Sequence, residues 1–138
     1  MSCWQIAAER MKMNRFVLDA SVILAFLNSE NGADIAEGYF PHSVVSSVNL
    51  AEVLSKAVEA GHTAKTAVGS FDLLNLTVID FDFDQAQKTA ELRPLTRHLG
   101  LSLGDRSCLG LAILRGAAAV TANRNWKGLS LCPIEFIR

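Results

Sequence analysis

The densest apolar stretch of the chain is Phe16-Val17-Leu18-Asp19-Ala20-Ser21-Val22-Ile23-Leu24-Ala25-Phe26-Leu27, and one carboxylate interrupts it. Phe16 to Leu18, aromatic and β-branched, predict a short buried strand, and Val22 to Leu27 predict the first turns of a buried helix. The alternation then repeats. Ala33 to Phe40 predict a short helix stopped by Pro41, and Ser43 to Ser46 predict a second strand. Ser46 or Ser47 can cap a helix that runs to about Ala60 and stops at Gly61. Thr63 to Leu74 predict another helix, Leu76 to Ile79 a third strand, and Asp80-Phe81-Asp82-Phe83-Asp84 an acidic loop. A helix from Gln85 to about Leu92 meets Pro94, which kinks or interrupts it, and Gly100 ends the segment after His98. Ser102 opens a strongly apolar helix to Arg115, Ala117 to Thr121 form a fourth strand, and Ile134 to Ile137 a fifth. Strands alternating with helices imply a three-layer α/β/α sandwich around a central, mainly parallel sheet.

Composition narrows this picture. The chain has 138 residues, 50% hydrophobic and 20% charged, which suits one compact domain and excludes disorder. Residues 1–13 read as a weakly amphipathic extension and 14–138 as the single domain, with Met11 or Met13 equally good starts for it. No apolar run approaches the roughly 18 residues that span a bilayer. Met1-Ser2-Cys3-Trp4-Gln5 lacks the basic and apolar blocks of a secretory leader. Cys3, Cys108 and Cys132 lack metal-ligand spacing, and Cys108 in an apolar helix reads as a buried thiol. The expected setting is a reducing cytoplasm, with no membrane. The net charge of −1 conceals an asymmetry: ten acids and two bases between Asp19 and Gln87, then eight bases and three acids from Lys88 onward. Such a division suits a metal-bound phosphodiester flanked by cationic grips, and equally an ordinary solvated surface.

Four segments place polar residues in apolar surroundings. Asp19 and Ser21 stand where a strand gives way to a helix, and either cap that helix or bind a ligand. In Ser47-Val48-Asn49-Leu50-Ala51-Glu52-Val53-Leu54, Glu52 lies at the edge of an apolar arc, about 40° from Val48 on a helical wheel. It either pairs with Lys56 at i+4, worth roughly 0.2–0.5 kcal/mol, or reaches over the sheet edge into a cleft. Ser102 and Asp105 form a capping-box pattern, yet the helix they open is apolar nearly all round, and Gly104 permits close backbone approach. Thr121-Ala122-Asn123-Arg124-Asn125-Trp126 ends a buried strand in polar groups; Asn123 suits a turn and Trp126 the core. In a parallel sheet all four segments converge on one face. Three converging carboxylates repel one another unless a divalent cation neutralises them, and hard oxygen donors suit Mg²⁺ or Mn²⁺ rather than zinc.

In this order the segments resemble the PIN-domain ribonucleases, most closely the VapC-type toxins of toxin–antitoxin pairs. The matching text is Val17–Ser21, Ser46–Val53, Leu103–Ala112 and Val120–Trp126. The resemblance implies that Asp19, Glu52 and Asp105 gather Mg²⁺, with Mn²⁺ as a substitute, and that Asn123 completes the catalytic group. Ser21, Asn49 and Thr121 would supply a supporting polar shell, and Arg106 or Arg124 a grip on RNA phosphate. It further implies RNA cleavage, inhibition by a cognate antitoxin, and a homodimer. The chain departs from the family at Asn123, where a fourth acid is usual. That departure supports a second reading, a catalytically degenerate RNA- or antitoxin-binding module. A phospho-acceptor receiver domain fits less well, because Asp19 stands alone after the first strand and Asp80 to Asp84 lack the rest of that pattern.

Overall fold

The computed structural model describes residues 1–13 and 15–138, and the side chains of 1–8 and 15–138. The domain boundary expected at residue 14 lies outside the described residues. In chain order the elements are α1 (Cys3–Met13), β1 (Phe16–Leu18), α2 (Ala20–Leu27), α3 (Ala33–Tyr39), β2 (Ser43–Ser46), α4 (Ser47–Glu59), α5 (Ala64–Asp72), β3 (Thr77–Ile79), α6 (Phe83–Thr96), α7 (Leu103–Arg115), β4 (Ala118–Thr121) and β5 (Ile134–Phe136). The five strands run in the order β3-β2-β1-β4-β5, and each neighbouring pair is parallel.

Period-two alternation of the strands sorts the helices into two layers. Phe16 and Leu18 of β1, Val45 of β2 and Val120 of β4 face α2 to α5, meeting Val22, Ile23, Ala36, Val53 and Phe71. The intervening Val17, Val44 and Ala119 face the other way, onto Leu92 of α6 and Cys108, Leu109 and Ala112 of α7. Both faces of the central strands are therefore covered, which is why they read as unbroken apolar runs. Trp126 is wholly buried in the second layer, so its role is packing.

Several boundaries differ from expectation, and α6 begins at Phe83, inside the loop expected over Asp80–Asp84, because the Asp82 side chain caps it by accepting from the Gln85 amide. α6 continues through Pro94 to Thr96 and passes into a 3-10 turn at Arg97–Leu99. Pro94 lies in the last helical turn, at an exposed position, where the ring costs one hydrogen bond and little packing. α2 begins at Ala20 rather than Val22, so Asp19 occupies its N-cap position.

Strand order also places the site. The chain moves outward from β1 through β2 to β3, then crosses back to lay β4 on the other side of β1. The crevice between the carboxyl ends of β1 and β4 is the switch point at which open α/β sheets bind ligands. Asp19 follows β1 there, and Thr121 ends β4.

Candidate active site at the sheet switch point

Asp19 is 5% exposed and makes no capping hydrogen bond, although it stands at the N-cap. Its Oδ2 instead accepts from Ser21 Oγ at 2.7 Å and from Thr121 Oγ1 at 3.0 Å. Ser21 Oγ in turn accepts from the Ala122 amide at 2.9 Å, and Thr121 Oγ1 from the Asn123 amide at 2.9 Å. Two hydroxyls thus tie the end of β1 to the end of β4 through one carboxylate oxygen. Neither Ser21 nor Asp19 uses its side chain to cap α2.

Glu52 lies half-buried on α4. Lys56 forms its ion pair with Glu59, at 3.8 Å, and leaves Glu52 to a different neighbour. Asn49, fully buried, donates to Glu52 Oε1 at 2.8 Å and to the Gly104 carbonyl at 3.1 Å. Asp105 does complete the capping box: Ser102 N donates to its Oδ2 at 2.9 Å, and its own amide donates to Ser102 Oγ at 3.1 Å. The cap engages only one of the two oxygens and leaves Oδ1 uncommitted among the described residues. Gly104 permits the close approach expected of it, and the group that approaches is the Glu52 carboxylate.

Among the described residues each of the three acids keeps one oxygen without a hydrogen-bond partner, and no ion pair engages any of them. Their charges act on one another. Burial, chiefly, pushes the Asp19 carboxyl from 3.8 up to about 6; the Ser21 hydroxyl opposes this, Asp105 adds to it, and Thr121 and Glu52 follow in those two directions. Burial also raises Glu52 above its ordinary value, with Asn49 opposing, Asp105 adding and Lys56 opposing. The Cys108 thiol lies below Asp19, donating to the Val17 carbonyl at 3.7 Å; burial and then the Asp19 charge hold it protonated.

The remaining side chains hold other partners. Asn123 Oδ1 accepts from the Asn125 amide at 3.0 Å, so the side chain caps the 3-10 turn Arg124–Trp126. Arg106 turns into the α6–α7 interface and donates from Nη1 to the Thr89 carbonyl at 3.1 Å. Arg124 is exposed, 3.1 Å from the Arg138 carbonyl and stacked 5.1 Å from the Phe136 ring centroid. The contact among Asn49, Glu52 and Gly104 was missed from sequence; the signal available was Asn49 three residues before Glu52, on the same helix face.

A divalent cation fits this donor set in charge and chemistry, since every uncommitted donor is a hard oxygen and, among the described residues, no ion pair engages the acids. It fits less well as a closed cage: among the described residues no three Asp, Glu, His or Cys groups converge tightly enough to hold an ion. Mg²⁺ is usually held by one or two carboxylates with water completing the shell, so the two observations are compatible.

Fold and site together define a parallel α/β domain with an acidic centre at its switch point. The PIN-domain family model matches residues 16–130, and the chain belongs to that family. Among curated proteins, none matches the chain. Its structure is similar to a chain of the DNA-bound VapBC of Salmonella typhimurium, with TM-score 0.71, 23% identity, and 91% of this chain and 100% of that one covered. A chain of VapBC2 from Rickettsia felis, bound to a promoter DNA fragment, gives TM-score 0.67 at 21% identity over 88% of this chain and 97% of that one. A chain of FitAcB from Neisseria gonorrhoeae gives 0.66 at 16% identity over 87% and 96%. Among the described residues no helix is long and apolar enough to cross a membrane.

Proposed function

We propose that this protein is a metal-dependent endoribonuclease, the VapC-type toxin of a toxin–antitoxin pair. The observation that carries the reading is the trio Asp19, Glu52 and Asp105, mutually repelling, without an ion-pair partner among the described residues, each with one uncommitted oxygen. Bound Mg²⁺ or Mn²⁺ would neutralise this charge, stabilise the phosphoryl group and acidify water. Asp19 and Asp105 would hold the ion directly. Ser21 and Thr121 fix the rotamer of Asp19 through Oδ2 and leave its Oδ1 uncommitted. Glu52 would help hold the ion through a water beside it, and, made more basic by burial, is suited to orient the attacking water and take its proton as a P–O ester bond breaks. Of the two arginines, Arg124 is the exposed one and can grip a phosphate; Arg106 is engaged with α6.

The test is cleavage of RNA with Mg²⁺ or Mn²⁺, repeated with EDTA and with Asp19→Asn. Activity lost in both is expected; cleavage that survives both overturns the proposal. A second reading, a degenerate binding module, draws on Asn123, whose amide oxygen is spent on a turn and brings no charge. Calorimetric titration with Mg²⁺ separates the two, since a degenerate module need not bind the ion.

An antitoxin partner is part of the same proposal, supported by the VapBC complexes to which the chain is similar. The groove expected near Ala33–Phe40 and Ser47–Ala60 has a counterpart between α2, α4 and α5. There a cavity of about 470 Å³ is lined by Leu24, Leu27, Val53, Ala57 and Ala67, with His62 also among its walls. An apolar partner segment suits it. Copurification with the product of an adjacent reading frame tests the partner, and sedimentation of the purified chain tests the homodimer.

A further inference from the structure

We infer that Asn49 is the positioning residue of this site and that Gly104 is the opening it works through: together they seat the Glu52 carboxylate on the first turn of α7, beside Asp105. The inference rests on the nuclease reading above.

Asn49 is 0% exposed in the first turn of α4, three residues before Glu52. Its amide nitrogen donates to acceptors on two different elements, Glu52 Oε1 at 2.8 Å and the Gly104 carbonyl at 3.1 Å. The reversed amide would set its oxygen against both acceptors, so only one orientation is tenable. Holding it leaves Oδ1 sealed in the interior without a partner among the described residues. An unpaired buried acceptor is an unfavourable feature for packing alone, where an apolar side chain of similar size would avoid it. The arrangement is explained if what matters is the pair of donated hydrogens.

Gly104 supplies the second, independent observation. It is buried, and a Cβ there would strike both carboxylate oxygens of Glu52. The Glu52 carboxylate therefore fills the volume that any other residue at 104 would occupy. One observation concerns a donor and the other a space, and both select the same carboxylate. Because the Gly104 carbonyl belongs to the residue before Asp105, the amide that fixes Glu52 also ties α4 to the backbone carrying the α7 acid. The separation of these two acids is thus set by an uncharged side chain.

Mn²⁺ affinity, read by electron paramagnetic resonance, tests the role without relying on turnover. Supporting groups around a metal typically contribute 10- to 100-fold in affinity, so Asn49→Ala should weaken Mn²⁺ binding by about that range. The same substitution in a Glu52→Gln background should cost nothing further. An Asn49→Ala loss of equal size in both backgrounds overturns the inference, because Asn49 would then act on the fold and not on Glu52. Thermal melting supplies the second arm. Gly104→Ala should lower Tm in the wild-type chain, and Glu52→Ala added to it should recover most of that loss. A Gly104→Ala shift indifferent to residue 52 overturns the clamp. Wild-type protein that binds no Mn²⁺ would refute the nuclease reading, and the melting comparison would then decide the clamp by itself.

Discussion

Asp19 is the residue at which burial and charge are most opposed. A carboxyl whose pKa is higher in the folded than in the unfolded chain stabilises the fold while protonated; that contribution is complete below about pH 4 and is lost as pH rises through about 6. The shift from 3.8 to about 6 corresponds to a contribution on the order of 3 kcal/mol. In EDTA, Asp19→Asn should therefore melt above wild type at pH 7, with the gap closing as pH falls to about 4, and Mg²⁺ should raise the Tm of wild type alone. A gap independent of pH would refute this assignment. At position 123 the structure makes the opposite substitution informative. An aspartate there can accept from the Asn125 amide as well as asparagine does, so the turn survives Asn123→Asp. The added charge should tighten Mn²⁺ binding by about tenfold; an unaltered affinity would place residue 123 outside the site. The four acidic and polar segments were legible in the sequence because each broke an apolar run. Where Arg106 points was not, since a one-dimensional pattern does not record which neighbouring helix will receive a long side chain.

Among the elements, α7 carries the most conflicting demands. Its first turn caps a helix, accepts the Glu52 carboxylate at Gly104 and leaves Asp105 Oδ1 uncommitted among the described residues. The capping reading of Ser102 and Asp105 made from the sequence holds, and it leaves room for the other, because the cap engages Oδ2 and leaves Oδ1. Urea unfolding can separate the two demands. Ser102→Ala should cost about 1 kcal/mol of stability while sparing Mn²⁺ affinity. Asp105→Asn should do the reverse, since its amide oxygen can still accept from the Ser102 amide. Equal effects of the two on both measurements would contradict the division. α6 shows where element boundaries escape sequence reasoning. Pro94 predicts a break, but its effect depends on how much helix follows, and only Leu95 and Thr96 do.

For the whole molecule, strand order matters more than any single motif. Alternation of strands and helices implied a parallel sheet, yet it did not state that the chain doubles back between β3 and β4. That reversal brings Asp19, just past β1, to Thr121, at the end of the adjacent β4, 102 residues away in sequence. The cavity between α2, α4 and α5 was anticipated in part, with α5 standing where α3 was expected. Loop lengths alone do not decide which of two successive helices will close a groove. Beneath the acids, the single thiol of α7 offers a clock. Cys108 is sealed against the Val17 carbonyl, so an alkylating reagent reaches it only in the instants when α7 lifts from β1. Its labelling rate, followed by mass spectrometry, reports how often the centre of the molecule opens, and the exposed Cys3 serves as the reference on the same chain. An ion shared by acids on the β1–α2 junction and α7 would hold those elements together. Mn²⁺ should slow the clock at Cys108 and leave Cys3 untouched.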